Sequence, residues 1–421
     1  MDRKKNLFFS RNAFSVASVE FFWGLGFPIV LESTFLQLFL KNLGASGFVI
    51  GLVPALFVFC SSCLPIFAAY LTRNIRFKKK VVLLVHLLPA IAIFLLGWVM
   101  LVADEDNILL LFFAFYSLFS MALGFGIPIW LNFLARIFSE TRTVPGLGYM
   151  MLSQNIGKII SSFFILKVVE QYAFSTKSCA WVFICTGTVF IIGALFFLLT
   201  KEFSEKGDPA PDYSSFIDHT RTALASIVAN KPFLIFLAAD LDFYLVITAL
   251  SFYANYATEF YSVDQAVAAG IFVGCIYSGS ITVNILLGTL DLLRLKQKFV
   301  LSKCISCTAL ILLITVPGQW SFFLISYLLG MVRAIRNMVY TPSVKKFSGK
   351  SDATDYFAFA PILTAPIAFG FPMLFGKMLD MLSPMGANSY RILFGVSALF
   401  LLVTFYCTLK TEYRESATSG L

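Results

Sequence analysis

The sequence predicts an all-α membrane protein, with twelve transmembrane helices in two pseudo-symmetric six-helix bundles. Three observations predict it. Of 421 residues, 59% are hydrophobic and only 13% are charged, against about 25% charged in an average soluble domain. The apolar residues fall into twelve runs of membrane-crossing length. One long polar stretch, roughly 201–231, divides those runs six and six. A soluble globule of this length would lack the polar side chains to cover its surface. That excludes an ordinary soluble enzyme, a disordered chain and a disulfide-stapled secreted scaffold. Twelve spans of roughly 20 residues need about 240 apolar-rich positions, and 59% of 421 supplies about 248.

A helix satisfies its own backbone hydrogen bonds in lipid, so each run is read as a helix. Spans one to six are expected at 12–40, 47–71, 81–102, 108–135, 145–169 and 178–200. Spans seven to twelve follow at 232–258, 265–290, 299–317, 320–344, 356–380 and 388–409. Pro28, Pro128, Pro361, Pro366 and Pro372 fall inside spans and suggest bends. The opening Met1-Asp2-Arg3-Lys4-Lys5 is not followed by a short apolar core with a cleavage site, so no signal peptide is expected. The expected domains are an N-terminal bundle over 1–200, a central loop over 201–231, and a C-terminal bundle with a short tail over 232–421. Within the loop, Asp212 to Asn230 reads as an amphipathic helix. Asp212 is its cap, and Phe216, Thr220, Leu224, Ile227 and Val228 share one face.

Lys and Arg set the orientation. Alternate segments, including both tails and the 72–80 loop, hold 23 of the 32 basic residues, and the opposite set holds Lys41, Lys177 and Arg391 alone. This bias puts both termini in the cytoplasm, with the chain in the inner or plasma membrane. The net charge of +9 is therefore a topological signal, and no nucleic-acid partner is expected. Eight cysteines lie in or beside apolar stretches and read as small packing residues.

The halves resemble each other. Phe138-Ser139 matches Phe347-Ser348, Lys167-x-x-Glu170 matches Lys377-x-x-Asp380, and Ser46 before span two matches Asp264 before span eight, both suited to helix caps. The offsets are 209, 210 and 218 residues. Duplicated six-helix bundles suggest secondary-transporter architecture, with a site at the midplane between them.

With six plus six spans, cytoplasmic termini, a long central loop and a basic loop after span two, the chain resembles the major facilitator superfamily over nearly its whole length. The family's loop signature sets glycines and an aspartate-arginine pair before basic residues. Here the stretch ends Leu71-Thr72-Arg73-Asn74-Ile75-Arg76-Phe77-Lys78-Lys79. The arginines and lysines fit, the glycines are missing, and Thr72 stands where the aspartate belongs. The second copy, Gly288-Thr289-Leu290-Asp291-Leu292-Leu293-Arg294, keeps a glycine and an acid. The resemblance implies gating roles for Arg73, Arg76 and Asp291, and a path lined by spans one, four, seven and ten with help from five, eight and eleven. Span five lacks the Gly-Pro pair of proton-driven drug exporters in that superfamily.

An ionisable side chain at membrane depth costs at least about 2.5–3.5 kcal/mol, so each is a functional candidate. Span one carries Glu20 and Glu32, span three His86, span five Lys158, span seven Asp240 and Asp242, and span ten Arg333 and Arg336. The two arginines, three apart, share a helix face, with Asn337 and Tyr340 adjacent. A guanidinium stays charged, and its planar fork matches carboxylate or phosphate. The pair reads as an anion clamp or as ion pairs with Asp240, Asp242 or Glu20. Lys158, beside Gln154 and Asn155, reads as a substrate contact or a carboxylate's partner. Trp23, Tyr116 and Tyr244 complete the expected lining. Asp240 and Asp242, two apart, point to different sides of a helix, and with Glu20 they are the proton-coupling candidates. Glu32, nearer the outside, is open to either role. Lys167/Glu170 and Lys377/Asp380 read as interfacial snorkels or helix-end pairs.

Cys60-x-x-Cys63 and Cys304-x-x-Cys307 have metal-motif spacing but lie in apolar spans with no histidine nearby. No P-loop, HExxH or Gly-x-Ser-x-Gly element occurs. No cofactor and no enzymatic activity are expected, and energy must come from a gradient. The sequence points to alternating-access transport of a small organic anion or polar metabolite, with protons as a candidate coupling ion. Membrane lipid is the other expected partner, and a monomer the expected state. Export of amphipathic compounds, and a non-transporting receptor or scaffold, are the alternatives.

Overall fold

Backbone groups in hydrocarbon must pair within their own segment, and the apolar runs do so as helices. The computed structural model describes residues 2–72, 75, 77–202, 216–290, 292–348 and 354–411. Among them are twelve helices long and apolar enough to cross a membrane. In the first half these are Phe9–Asn42, Gly47–Ala68, Lys79–Val102, Ile108–Leu131, Gly146–Tyr172 and Thr176–Leu199. In the second half they are Lys231–Phe260, Gln265–Gly288, Leu295–Thr315, Gln319–Ser348, Phe359–Met381 and Ala387–Lys410. Six crossings per half put both termini and the central connection on one face, here the terminal face. The opposite side is the far face.

Among the described residues, spans one and seven are each built from two α-helices. Span one is Phe9–Val30 followed by Ser33–Asn42, with Glu32 extended between them at φ −82° and ψ 142°. The break falls beyond Pro28, so the proline's missing N–H is not its immediate cause. The N–H groups of Leu31 and Glu32 both donate to the Phe27 carbonyl, at 2.8 and 3.3 Å, and the winding ends there. The Val30 carbonyl, freed by the break, accepts from the Tyr116 hydroxyl of span four at 3.2 Å. Span seven is Lys231–Asp240 and Asp242–Phe260, meeting at Leu241. There the Lys303 ammonium donates to the Ala239 carbonyl at 2.5 Å. The helices run uninterrupted through Pro128, Pro361, Pro366 and Pro372.

The halves meet along two long seams, span two against span eleven and span five against span eight. The far part of span one also packs on span seven. Asp264 caps span eight as expected, accepting from the Ala266 N–H at 2.7 Å. The central-connection helix spans Phe216–Val228. Ile227 is fully buried and Leu224 half-buried on its packed side, while Val228 is exposed. The expected Asp212 cap lies outside the described residues, as do Arg73, Arg76 and Asp291.

Lys377 and Asp380, read as interfacial snorkels or a helix-end pair, do not bond each other among the described residues, and Asp380 binds the other half. Its carboxylate accepts from the Gly47 and Phe48 N–H groups at the start of span two, at 2.7 and 3.0 Å. Gly47 permits this approach, since a Cβ there would lie 2.7 Å from the Gly376 carbonyl oxygen. The matching pair in the first half, Lys167 and Glu170, does bond as a helix-end pair at 2.9 Å.

Candidate functional site

The break in span one turns the Glu32 carboxylate inward, where it is 3% exposed. Its Oε1 accepts from the Tyr277 hydroxyl of span eight at 2.6 Å and from Arg333 of span ten at 2.5 Å. This ion pair crosses between the halves. Arg333 spends one terminal nitrogen on it, and among the described residues its guanidinium makes no other hydrogen bond. Arg333 also lines a cavity of about 360 Å³ between the halves.

Both halves line that cavity. Glu32 and Gln37 come from span one, Phe57, Ser61 and Ser62 from span two, and Tyr116 from span four. Phe243 and Tyr244 come from span seven, Arg333, Arg336 and Tyr340 from span ten, and Pro361 from span eleven. The Gln37 amide oxygen is buried and has no hydrogen-bond partner among the described residues. The Tyr244 hydroxyl bonds Thr364 of span eleven at 2.7 Å.

Arg336 is held far more tightly than Arg333. Its Nε and a terminal nitrogen donate to Asp240 Oδ2 at 3.2 and 2.9 Å. The guanidinium also lies 4.2 Å from the Phe243 ring centre and 3.9 Å from that of Tyr340. Asp240 therefore faces span ten and the cavity wall. Asp242 faces span nine, where it pairs with the fully buried Lys303. A spacing of two on a helix requires that divergence.

Other expected site residues, the proton-coupling candidate Glu20 among them, do not line the cavity. Glu20 accepts from Gln154 Nε2 at 2.5 Å, between spans one and five. Gly24 lets those spans approach, since a Cβ there would lie 3.1 Å from the Gln154 Cα. The Lys158 ammonium lies 4.8 Å from the Tyr277 ring centre and 5.5 Å from that of Phe27. Trp23 stacks on Phe190, with ring centres 4.3 Å apart, inside the first half. Asn155 is half-buried and Asn337 exposed, and neither encloses the cavity.

Sequence reasoning missed the Glu32–Arg333 pairing, the cavity contribution of span two, and Lys303. Span two gave little signal beyond Ser61-Ser62. Lys303 carries the signal of a lysine mid-span in an apolar run, and that could have found it.

On the far face the halves are tied by Asp380 to span two, by Lys41 to Glu259 at 2.8 Å and by Asn42 to Gln265 at 3.4 Å. On the terminal face Thr72, standing in the family aspartate's place, bonds within its own half, to the Ala68 carbonyl at 2.8 Å. There the Glu202 carboxylate accepts from the Lys78 and Lys79 N–H groups at 2.8 Å, capping span three.

The sequence profile of the Major Facilitator Superfamily matches residues 13–360. The chain belongs to that superfamily. Solved superfamily-type transporters share its fold at low identity. A bacterial homologue of the human lysosomal transporter Spinster, inward-facing and unoccupied, aligns with TM-score 0.67 and 13% identity, over 97% of this chain and 99% of that one. The nucleoside transporter NupG aligns at 0.71 and 15%, over 95% and 99%. A POT family transporter in complex with a thioalcohol-conjugated peptide aligns at 0.71 and 14%, over 95% and 96%. No curated protein matches the chain. As a Major Facilitator Superfamily member, it is a multi-pass integral membrane protein of a transporter family. Its cavity draws on spans one, four, seven, ten and eleven, as the resemblance implies, but on span two rather than five and eight.

Proposed function

We propose that the chain carries a small organic anion or polar metabolite across the membrane by alternating access. The observation that carries this reading is Arg333, a guanidinium that bonds Glu32 through one nitrogen and lines the inter-half cavity. A carboxylate or phosphate of the solute would take the free edge of its fork. The unpartnered Gln37 oxygen favours a solute that also carries a hydroxyl or amine donor. The far-face ties fit a state closed on that side, and the basic bias of the terminal face favours its lying in the cytoplasm. Glu20, bonded to Gln154 and in no ion pair among the described residues, is the better proton-coupling candidate, since Asp240 is bound by Arg336. Arg336, Tyr340, Tyr244 and Tyr116 shape the cavity around the solute.

The test is thermal stabilisation of the detergent-purified protein by lactate, succinate and benzoate against their uncharged amides, followed by counterflow in liposomes. Ligand stabilisation grows with concentration over affinity. Selective stabilisation by the acids, lost in Arg333→Ala, is expected. Equal response to the amides would overturn the anion reading. The ring-bearing lining of Phe57 and Phe243 supports a second reading, export of amphipathic compounds, which predicts that same charge-blind result. Absence of any counterflow would favour a receptor or scaffold.

A further inference from the structure

Lys158 is a buried cation that the anion reading leaves unused. The residue is 9% exposed, and among the described residues its ammonium makes no hydrogen bond or ion pair. The faces of Tyr277 and Phe27 attract it, but ring faces recover only part of what an ammonium loses on leaving water. Such a group calls for a carboxylate, and two lie within electrostatic range, Glu20 and Glu32. Glu20 is engaged by Gln154. Glu32 is connected to Lys158 through a shared neighbour, since the Tyr277 hydroxyl donates to Glu32 while the ring of the same tyrosine carries the ammonium.

Chain position supplies the rest of the argument. Glu32 and Lys158 both belong to the first half, and Arg333 to the second. When the halves part at the far face, Arg333 leaves with its own bundle. A solute anion on the free edge of the guanidinium shares its positive charge and so weakens its attraction for Glu32. In either event Glu32 loses some or all of its cation, and a carboxylate stripped of its partner inside the protein is far more costly than a paired one.

We infer that Lys158 is the reserve counter-ion of Glu32 and receives that carboxylate whenever Arg333 releases it. The inference rests on the alternating-access reading above. It deepens that reading by assigning Lys158 a positioning role rather than a solute contact. Glu32 then stays ionised through the exchange, and the cycle needs no proton at this residue.

The test uses the full chain in detergent at neutral pH and reads the thermal midpoint. Lys158→Gln is placed in the wild type, in Arg333→Gln, and in Arg333→Gln with Glu32→Gln. In the wild type the change is expected to move the midpoint little. In Arg333→Gln, where Lys158 has become the partner of Glu32, it is expected to lower the midpoint by about 5 °C or more. That extra loss is expected to vanish once Glu32 is also neutral. Equal effects of Lys158→Gln in all three backgrounds would overturn the inference. Arg333→Lys, which keeps charge but not the fork, is the second background should Arg333→Gln not fold, with a smaller loss of the same sign expected. The carboxylate probes run on the wild type separate the two claims. No response to them counts against the anion reading, whereas additive midpoints count against the exchange of partners alone.

Discussion

Arg333 and Arg336 lie one turn apart on the same helix, and their surroundings assign them different work. Arg336 is closed in by two rings and a doubly bonded carboxylate, whereas Arg333 shares one nitrogen with Glu32. Removing Arg336 strands a buried Asp240, and breaking a buried pair in this way costs about 3–5 kcal/mol. Arg336→Ala is therefore expected to lower the thermal midpoint more than Arg333→Ala, and the double change with Asp240→Ala to recover much of the loss. The sequence announced both arginines, because a permanent charge in an apolar run is conspicuous. It did not distinguish them, because that difference arises from partners on other helices. Glu32 was visible as an acid near the outer end of span one, but its inward turn depends on a backbone break that no residue pattern around it signals. Trp23 and Asn155 looked like lining by residue type alone, and helix rotation places them elsewhere.

At the scale of helices, twelve spans could be read from length and hydropathy, since a membrane leaves few alternatives to a continuous helix. The breaks in spans one and seven could not, because each is sustained by a side chain from a distant span. The buried Lys303 supplies that support in span seven, bonding the Ala239 carbonyl and pairing with Asp242. Lys303→Met is expected to destabilise by about 3–5 kcal/mol, and Lys303→Met with Asp242→Leu to unfold closer to the wild-type midpoint. The far-face tie depends on span eleven lending its acid to the N-terminus of span two. A helix N-terminus carries partial positive charge, and hydrogen bonds to a charged group contribute about 1.5–3 kcal/mol. Asp380→Asn should thus shift the closed-to-open ratio at that face by roughly tenfold or more. Spin-label distances between the far ends of spans one and seven would report a longer population, and an unchanged distribution would remove Asp380 from the gate.

For the whole molecule, the repeat guided the fold correctly but misdirected one detail. Lys167 and Glu170 keep to their own helix, whereas the acid at the matching place, Asp380, reaches across to the other bundle. Duplication preserves helix order and leaves end residues free to take new partners. The lopsided distribution of basic residues predicts that both termini lie in the cytoplasm. A reporter fused after Leu421 is expected to be active only when the reporter works in the cytoplasm, and the reverse result would overturn that orientation. The discontinuity in span one has a mechanical consequence. The carboxylate that grips Arg333 sits on the pivot between a 22-residue shaft and a 10-residue tip. Release of Arg333 would unload that joint and leave the tip held through its far-face ties, Lys41 to Glu259 and Asn42 to Gln265.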